Sequence, residues 1–447
     1  MKWSQFIIES NKNNDVILFN TLNKSVLYFE RETLDKIKKF VSGELSEIEE
    51  IQEKPLDYYL KVLLEEEFLI QDDVNEKALF LKSLVEEWEK YDSLVIHFLP
   101  TTGCNFKCIY CYQDGIDRAC KMTLNDVKTI DNYLREYLRL NPQIKYLMIT
   151  LHGGEPTYNW KIVPFAMNVF RKIADDFSLK LYTSIVSNGY LLTPEKAEFL
   201  KFYGWHRFQV TLDGPKEIHN RRRHLINGNG TFDCIVSNIN YILDKKILPS
   251  IDLRINFDRS NYEYVFELID FLADKFEKEK LFLSFGNITQ TYESKAHDYI
   301  EKQKILFDNF ADLYIKIYDY ASKKGFYLND SYVFGSICTA KVRNSFIFSP
   351  DGKIYKCLSM VGRIEGIIGD WKNDSCISPS KNLFKLKLYE KCFEKKCSLI
   401  PICHADCRFD ALINLGDLNS VFCRKEILEK LNEDMLYIKY VANINSK

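Results

Sequence analysis

The chain has 447 residues, too many for one ordinary hydrophobic core, and roughly two to four domains are expected. Hydrophobic residues make up 46% and charged residues 28%, with a formal net charge of -2, so nothing predicts nucleic acid or a membrane surface as a partner. No apolar run approaches the roughly 18 residues of a membrane span, and the N-terminus lacks a signal-peptide pattern, which predicts a cytoplasmic location.

The first 90 residues predict a small domain of their own. Residues 15–20 and 25–29 have the pattern of a β-hairpin, and residues 32–41 and 56–66 are helical, before a short apolar segment at 68–70. Strands followed by helices in this order predict a winged-helix-like unit. A purely structural N-terminal cap is the alternative.

From residue 93 onward, short β-rich runs alternate with helical stretches. Apolar residues between the runs recur at helical spacing, which makes the repeating unit a strand followed by a helix. Such units form a parallel sheet with right-handed crossovers, and six of them predict a partial barrel. Residues 296–323 predict one long helical linker after the barrel. The six predicted strands span residues 94–99, 146–151, 181–186, 208–212, 251–257 and 281–285.

The thirteen cysteines fall into groups, which in a long chain without secretion signals favours metal binding over disulfides. Cys104, Cys108 and Cys111 place three thiols within eight residues. An iron-sulfur cluster ordinarily takes four thiolates, so this loop suggests a cluster with one iron left open for a small molecule. A zinc site is the alternative reading. Seven further cysteines lie between residues 338 and 423, whereas Cys120, Cys234 and Cys376 stand apart and are interpreted as ordinary thiols.

Polar and glycine-rich motifs follow the predicted strands. The cysteine loop follows the first strand, residues 152–156 (His-Gly-Gly-Glu-Pro) the second, residues 187–189 (Ser-Asn-Gly) the third and residues 213–215 (Asp-Gly-Pro) the fourth. Arg254 and Asn256 lie on the fifth strand. Because parallel α/β folds place their chemistry at the carboxyl ends of strands, these motifs are expected to meet in one site.

Together these motifs resemble the radical SAM superfamily. The resemblance implies that Cys104, Cys108 and Cys111 hold a 4Fe-4S cluster whose open iron binds S-adenosylmethionine, and that an electron cleaves the latter to a 5'-deoxyadenosyl radical. Arg223 is a candidate clamp for the methionine carboxylate, with Arg221 and Arg222 left open as alternatives and a solvated basic turn as the bland reading. The other residues implied to contact S-adenosylmethionine are Tyr110 beside adenine, Gly153, Gly154 and Glu155 around the amino group, and Ser187 and Asn188 at the carboxylate or ribose. For the Tyr110 side chain, a merely packed aromatic is the alternative.

The C-terminal cysteines resemble the SPASM extension of radical SAM enzymes. The resemblance is carried by Gly352 and Cys357, which four residues separate, and by the spacing of Cys397, Cys403 and Cys407. Cys392 departs from the pattern, because four residues rather than two separate it from Cys397. The resemblance implies two auxiliary 4Fe-4S clusters, an inner one on Cys338, Cys357 and Cys407 and an outer one on Cys392, Cys397, Cys403 and Cys423.

The inner set then has three ligands. Cys376 matches no position of the family pattern, so a fourth ligand from a substrate thiolate is left open. A zinc ribbon is the alternative for the whole C-terminal group.

The order of elements in residues 1–90 resembles the peptide-recognition domain fused to many radical SAM peptide maturases, in which a leader peptide adds a strand to the sheet edge. The expected fold is α/β, with a winged-helix-like leader-peptide recognition domain at residues 1–90, a partial (β/α)6 radical SAM barrel at 91–325 and a SPASM domain at 326–447. The expected function is a peptide maturase that abstracts hydrogen from a ribosomally made precursor and installs a cysteine thioether. Its expected partners are a precursor peptide with an N-terminal leader and an external electron donor of the flavodoxin or ferredoxin type.

Three alternatives remain: anaerobic sulfatase maturation to formylglycine, carbon-carbon cross-linking of a peptide, and an iron-sulfur electron carrier without catalysis. Against sulfatase maturation, Leu358 stands where those enzymes carry an aspartate base. The catalytic acid or base, the bond made and the oligomeric state stay open.

Overall fold

The N-terminal part contains a small antiparallel sheet followed by helices. The computed structural model describes residues 1–12, 14–45, 54–89, 91–288, 296–335, 337–373 and 383–442. Strands β2, β3 and β4 pair in that order, and β1 pairs with β5. The expected hairpin and helices are present, and β2 adds a strand before them. The elements are β1 (Lys2–Trp3), β2 (Ile7–Lys12), β3 (Asp15–Asn20), β4 (Val26–Glu30), α1 (Arg31–Val41), α2 (Leu56–Glu65), β5 (Leu69–Ile70) and α3 (Glu76–Glu89).

The middle of the chain forms the partial barrel. Six strands pair in parallel in chain order, and helices cross between them, which confirms the predicted fold. Helix α4 starts with a capping box, in which Thr123 and Asp126 exchange hydrogen bonds with each other's backbone N–H. The elements are β6 (Ser93–Phe98), α4 (Leu124–Leu140), β7 (Tyr146–Leu151), α5 (Val163–Asp176), β8 (Lys180–Ser187), α6 (Pro194–Phe202), β9 (Trp205–Thr211), α7 (Lys216–Arg222), α8 (Phe232–Asp244), β10 (Ile251–Phe257), α9 (Tyr264–Lys275) and β11 (Leu281–Asn287).

The C-terminal part extends the barrel sheet at both edges. Strand β12 continues it beside β11, while β13 pairs in parallel with β6 and is followed by β14 and β15 in antiparallel order. The prediction of one continuous linker helix is wrong, because residues 304–306 separate α10 from α11. The elements are α10 (His297–Gln303), α11 (Phe307–Lys323), β12 (Tyr327–Leu328), α12 (Ser331–Phe334), β13 (Ser345–Phe348), β14 (Lys353–Tyr355), β15 (Ile367–Asp370), α13 (Leu386–Glu394), α14 (Ile400–Cys403), α15 (Arg408–Leu415) and α16 (Lys425–Tyr437).

The N-terminal sheet is packed against the C-terminal helices. Ser10 Oγ donates to the Glu433 carbonyl oxygen at 2.6 Å, and Lys12 pairs with Asp434 at 2.6 Å. A separate apolar cluster joins Phe6 and Phe80 to α13. The two ends of the chain therefore support each other. Within the described residues, every helix falls short of the length and apolarity that crossing a membrane requires.

Candidate functional site

A cavity of about 520 Å³ opens at the carboxyl ends of the barrel strands. Its walls come from the cysteine loop after β6, the glycines after β7, the ends of β8 to β11 and, opposite the barrel, the start of α15. The motifs that the sequence predicted to meet do meet here. The predicted residues that line the cavity are Cys104, Cys108, Tyr110, Cys111, Gly153, Gly154, Ser187, Asn188, Arg223 and Cys407.

The two glycines after β7 let the chain touch the cysteine loop. A Cβ at Gly153 would lie 2.3 Å from the Thr101 carbonyl oxygen, and Gly153 also has a φ of +134°. A Cβ at Gly154 would lie 2.4 Å from the carbonyl oxygens of both Thr102 and Gly103. Only residues without a side chain fit here, so this turn fixes the position of the loop.

Glu155 lies beneath the cavity wall rather than on its surface. The side chain is fully buried, and its carboxylate accepts hydrogen bonds from Thr157 N and Oγ1 (3.0 and 2.5 Å), Ser187 Oγ (2.8 Å) and Asn188 N (2.7 Å). Burial raises the pKa of Glu155, while these donors oppose the rise. The carboxylate thus holds the Ser187 and Asn188 turn, and its contact with the methionine amino group stays a prediction.

Asn188 connects that turn to the cysteine loop. Its Nδ2 donates to Asn105 Oδ1 at 2.9 Å and lies 3.8 Å from Cys104 Sγ. Ser187 is buried and accepts from Gly189 N at 3.0 Å in addition to donating to Glu155. Two neighbouring strand ends are therefore linked to a predicted cluster ligand by side-chain hydrogen bonds.

Tyr110 and Arg223 form a polar network at the side of the cavity. Arg223 Nη1 donates to the Tyr110 hydroxyl at 2.8 Å, and that hydroxyl donates to Asp213. Burial raises the pKa of Tyr110 well above its ordinary value, so the phenol stays protonated. Asn256 Nδ2 approaches the same hydroxyl at 3.4 Å.

The structure separates the three consecutive arginines that the sequence left open. Arg222 is buried and its Nη1 donates to both Asp258 carboxylate oxygens at 3.0 Å. Arg221 is exposed, with its Nε directed to the Glu217 carbonyl oxygen at 3.4 Å. Of the three, Arg223 lines the cavity, and its Nε is buried without a hydrogen-bond partner in the described part of the chain.

The three loop thiols fit an iron-sulfur cluster. Burial raises the pKa of Cys104 to about 12 and that of Cys108 to about 11, with the Arg223 charge opposing the latter, and it also raises the pKa of Cys111. Metal ligation requires thiolates, so buried thiols of this kind need a strongly cationic partner. Cluster iron supplies that charge.

A single metal ion fits the described residues less well. A zinc ion, for example, holds thiolate sulfurs at about 2.3 Å, so its ligands must converge on one point. Nowhere among the described residues do three His, Cys, Asp or Glu side chains converge in this way.

The C-terminal thiols fall into two sets by proximity. The pKa of Cys357 is raised to about 12 by burial and, next, by the neighbouring thiols of Cys338 and Cys407. Burial likewise raises the pKa of Cys392 to about 12, and the thiols that add to the rise all belong to the outer set: Cys403, Cys397 and Cys423. These are the two sets that the resemblance implied, with Cys392 beside its expected partners. Cys376 lies outside the described residues.

A left-handed turn separates Cys403 from Cys407. His404, Ala405 and Asp406 have φ values of 52°, 56° and 69°, which L-residues other than glycine rarely adopt in succession. The buried Lys341 ammonium donates to the carbonyl oxygens of His404 and Asp406 and holds the turn. Because of this turn, Cys403 lies with the outer set and Cys407 with the inner set. No pattern in the sequence predicted the turn.

Several residues that line the cavity had no predicted role. Arg254 and Asn256 were placed on the fifth strand without an assignment, whereas Ser359, Phe409 and Asp410 were missed. Their only signal is closeness to the motif cysteines, since Ser359 follows Cys357 by two residues and Asp410 follows Cys407 by three. Burial raises the pKa of Asp410, and Arg424 at 3.4 Å opposes that rise.

Residues 98–272 match the model of the Radical SAM superfamily, in the segment that forms the barrel and carries the cysteine loop. The chain therefore has a radical SAM domain and is an enzyme of the radical SAM type. Enzymes of this superfamily use a 4Fe-4S cluster and S-adenosylmethionine.

The chain is similar to several peptide- or metabolite-modifying radical SAM proteins. A cysteine-type anaerobic sulfatase-maturating enzyme from Clostridium perfringens is 26% identical over 333 residues, which are 69% of this chain and 86% of that protein. The radical SAM cyclopropyl synthase TigE from Paramaledivibacter caminithermalis is 28% identical over 195 residues, 38% of each chain. The solved structure of native anSMEcpe with bound AdoMet and Cp18Cys peptide has a TM-score of 0.61 at 21% identity and covers 79% of this chain and 100% of its own, which shows a shared fold.

Proposed function

We propose that this enzyme is a peptide maturase that installs a cysteine thioether in a ribosomally made precursor. The observation that carries the proposal is the composition of one cavity. Cys104, Cys108 and Cys111 lie on its barrel wall and Cys407, from the inner C-terminal set, lies on the opposite wall. A substrate between these walls would be within reach of both predicted clusters.

The residues of the chain have distinct tasks in this scheme. When bound, the cofactors would supply a 5'-deoxyadenosyl radical for hydrogen abstraction and an auxiliary cluster that accepts the electron released when sulfur bonds to the substrate carbon. Gly153 and Gly154 position the cysteine loop. Glu155 orients Ser187 and Asn188 towards the bound S-adenosylmethionine. Arg223 offers a cation to its carboxylate, with the protonated Tyr110 as a neighbour.

A substrate thiolate is proposed as the fourth ligand of the inner auxiliary cluster. Cys338, Cys357 and Cys407 supply three thiols, and an open iron beside the cavity would hold the cysteine that forms the thioether. Spectroscopy of the substrate-bound enzyme tests this step. A fully protein-ligated inner cluster, without substrate sulfur, would contradict it.

The proposed partner is a precursor peptide whose leader adds a strand to β4. In the described residues β4 is an edge of its sheet, and Tyr28 at its centre is 55% exposed. Exposed strand edges are common sites for peptide recognition by strand addition. The proposed electron donor is an external protein of the flavodoxin or ferredoxin type. The proposed location is the cytosol, because thiols stay reduced there and remain available for cluster assembly.

Sulfatase maturation, with formylglycine as the expected product, is the second candidate, because a relative of 26% identity is a cysteine-type anaerobic sulfatase-maturating enzyme. The resemblance places an aspartate base at position 358 in such enzymes, and Leu358 instead packs with Leu99, Ile347 and Tyr355. Formylglycine in a sulfatase-derived peptide treated with this enzyme would reverse the ranking. Carbon-carbon cross-linking would be recognised by a product peptide that keeps its free cysteine thiol.

The decisive experiment measures 5'-deoxyadenosine formed from S-adenosylmethionine by the reconstituted, reduced protein. The wild type should form it, Cys108→Ala should not, and the matched control Cys234→Ala should behave as the wild type. A protein that keeps its clusters but never cleaves S-adenosylmethionine would be an electron carrier. The peptide encoded beside the gene, incubated with the active enzyme, should then lose two hydrogens and one titratable thiol.

A further inference from the structure

Arg254 is a cavity cation without an acidic partner among the residues that the structure describes. It lies on β10, in register with Thr211 on β9 and Ser284 on β11, and its side chain lines the cavity. Its Nε donates to Asn256 Oδ1 at 3.1 Å. The two terminal nitrogens of the guanidinium have no hydrogen bond to a described residue, so they are available to a ligand.

The neighbouring strand is built to accommodate this side chain. A Cβ at Gly286 would lie 1.9 Å from Arg254 Nη2 and 2.4 Å from its Cζ. Glycine inside a strand weakens it and often marks the close approach of another group. Here the close approach is that of the guanidinium, which occupies the space that a side chain at position 286 of β11 would need. The position of Arg254 is thus fixed on two sides, by Gly286 and by Asn256.

The other arginines around the cavity have partners. Arg118 pairs with Asp114 at 3.4 Å, and Arg223 is bonded to Tyr110 at 2.8 Å. Arg424, behind the opposite wall, pairs with Asp406 at 2.7 Å. A cation that faces a partly enclosed cavity without a partner attracts an incoming anion more strongly than a cation whose charge is already paired. Arg254 is therefore the arginine whose terminal nitrogens remain open, among the described residues, to a carboxylate other than that of S-adenosylmethionine.

Arg254 is separated from the polar network of Arg223 by Asn256. Arg223 Nη1 donates to the hydroxyl of Tyr110, in the cysteine loop, at 2.8 Å. Asn256 accepts from Arg254 Nε at 3.1 Å, and its Nδ2 approaches the same hydroxyl at 3.4 Å. Arg223 is therefore the arginine beside the cysteine loop, where S-adenosylmethionine is expected, whereas Arg254 lies one side chain further along the cavity wall, where a substrate would bind.

We propose that Arg254 binds the carboxylate of an aspartate or glutamate side chain in the substrate peptide, next to the residue that is modified. The planar guanidinium can donate two parallel hydrogen bonds to a carboxylate, which neither an amide nor a hydroxyl matches. This inference rests on the proposed function, a peptide substrate, and adds that the peptide carries an acidic residue at one defined position.

The test is a binding selection with the reconstituted holoenzyme, S-adenosylmethionine and no reductant. An mRNA-display library of random twelve-residue peptides containing one fixed cysteine is the probe. The wild type should enrich peptides with Asp or Glu at one distance from that cysteine. Arg254→Gln should lose this enrichment, as should Gly286→Ala, which keeps the arginine but displaces it. Arg254→Lys should retain a weaker preference, and the exposed Arg221→Gln is the matched control that should select as the wild type does.

The affinities of one selected peptide and of its Asp→Asn variant then give the size of the carboxylate contribution to binding. The wild type should bind the acidic peptide about tenfold more tightly, and Arg254→Gln should bind both equally, which corresponds to about 1.4 kcal/mol. An unchanged acidic preference in Arg254→Gln, or a loss of affinity for S-adenosylmethionine in its place, would overturn the inference and leave the maturase function standing. Selection of no peptide at all by the wild type would overturn both.

Discussion

The smallest features with a large effect on this site are Gly153 and Gly154, which let β7 end against the cysteine loop. We predict that Gly154→Ala disturbs the loop, because its methyl group would lie 2.4 Å from two backbone carbonyl oxygens. Backbone cannot move aside as a flexible side chain can, and overpacking of this kind costs about 1–3 kcal/mol. The reconstituted variant should therefore lose about four irons per chain, those of one 4Fe-4S cluster.

Iron analysis and absorbance spectroscopy measure this loss. Gly228→Ala is the control, since a Cβ there meets nothing within 4 Å although its φ is +87°. It should keep the full iron content despite modest backbone strain. If Gly154→Ala also kept all its iron and its affinity for S-adenosylmethionine, the close contact would not be what positions the loop.

Lys341 has a comparable effect on the C-terminal thiols. Its ammonium is 4% exposed and is bonded to carbonyl oxygens on the left-handed turn between Cys403 and Cys407. We predict that Lys341→Met leaves both carbonyls without a buried donor, at about 1–3 kcal/mol each. The turn should then relax, and the auxiliary clusters should be lost before the cluster of the barrel loop.

Electron paramagnetic resonance of the reduced variant, with and without S-adenosylmethionine, distinguishes the clusters. The signal that responds to S-adenosylmethionine should persist, while the others weaken. Lys387→Met, which changes an exposed lysine on α13, should leave all signals as in the wild type. Equal loss of every signal would show that Lys341 supports the whole fold rather than this turn.

Individual residues also show where sequence patterns stop being informative. The spacing of Cys104, Cys108 and Cys111 is local, so their shared position was predictable. The choice among Arg221, Arg222 and Arg223 was not, since it depends on Asp258, which comes from another strand end and pairs with Arg222. Nor could the sequence around Glu155 show that two of the donors to its carboxylate, Ser187 and Asn188, come from the end of β8.

At the scale of elements, apolar runs predicted the six barrel strands to within about three residues, because each strand carries apolar residues whose side chains are buried in the core. Strand β2 was missed. Its sequence Ile-Ile-Glu-Ser-Asn-Lys is apolar only at its start. The polar residues Ser10 and Lys12 have a structural role, because they make polar contacts with α16. Those contacts come from more than 400 residues away, so no local pattern could reveal them.

The edge strand β4 permits a sharp test of leader binding. Asn20 N donates to Ser25 O and Arg31 N to Asn14 O, and these bonds fix which residues of β4 face β3. By the alternation of an antiparallel ladder, the N–H of Leu27 points to β3 and that of Tyr28 points outward. Tyr28→Pro removes only the outward donor, and edge strands tolerate proline.

We therefore predict that Tyr28→Pro weakens binding of the leader peptide at least tenfold while the melting temperature stays within a few degrees. A fluorescent leader peptide from the precursor encoded beside the gene reports the affinity by anisotropy. Tyr28→Phe, which keeps the N–H, should bind as the wild type does. Normal binding by Tyr28→Pro would mean that the leader does not add a strand at β4.

At the scale of the whole molecule, the N-terminal and C-terminal regions form one structural unit around the barrel. Phe6 and Phe80 pack against Phe393 with ring centroids 6.1 and 5.7 Å apart. Cys392 and Cys397, two thiols of the outer set, border the same apolar cluster. The proposed peptide-binding domain and the proposed outer cluster therefore share a core, so the stability of one depends on the other.

This shared core predicts the effect of Phe80→Ala, a substitution far from the cavity. Phe80 is 5% exposed, and removing a buried phenylalanine ring costs about 3–5 kcal/mol. Because the space left adjoins α13, which carries Cys392, the outer cluster should lose its iron at a lower temperature than in the wild type. The control Phe202→Ala removes a ring that is 74% exposed and should change little. Thermal unfolding and iron release, followed in the same experiment, measure both effects. In Phe80→Ala the two curves should shift together to lower temperature. Unfolding of the N-terminal region with unchanged iron release would show that the two regions are independent.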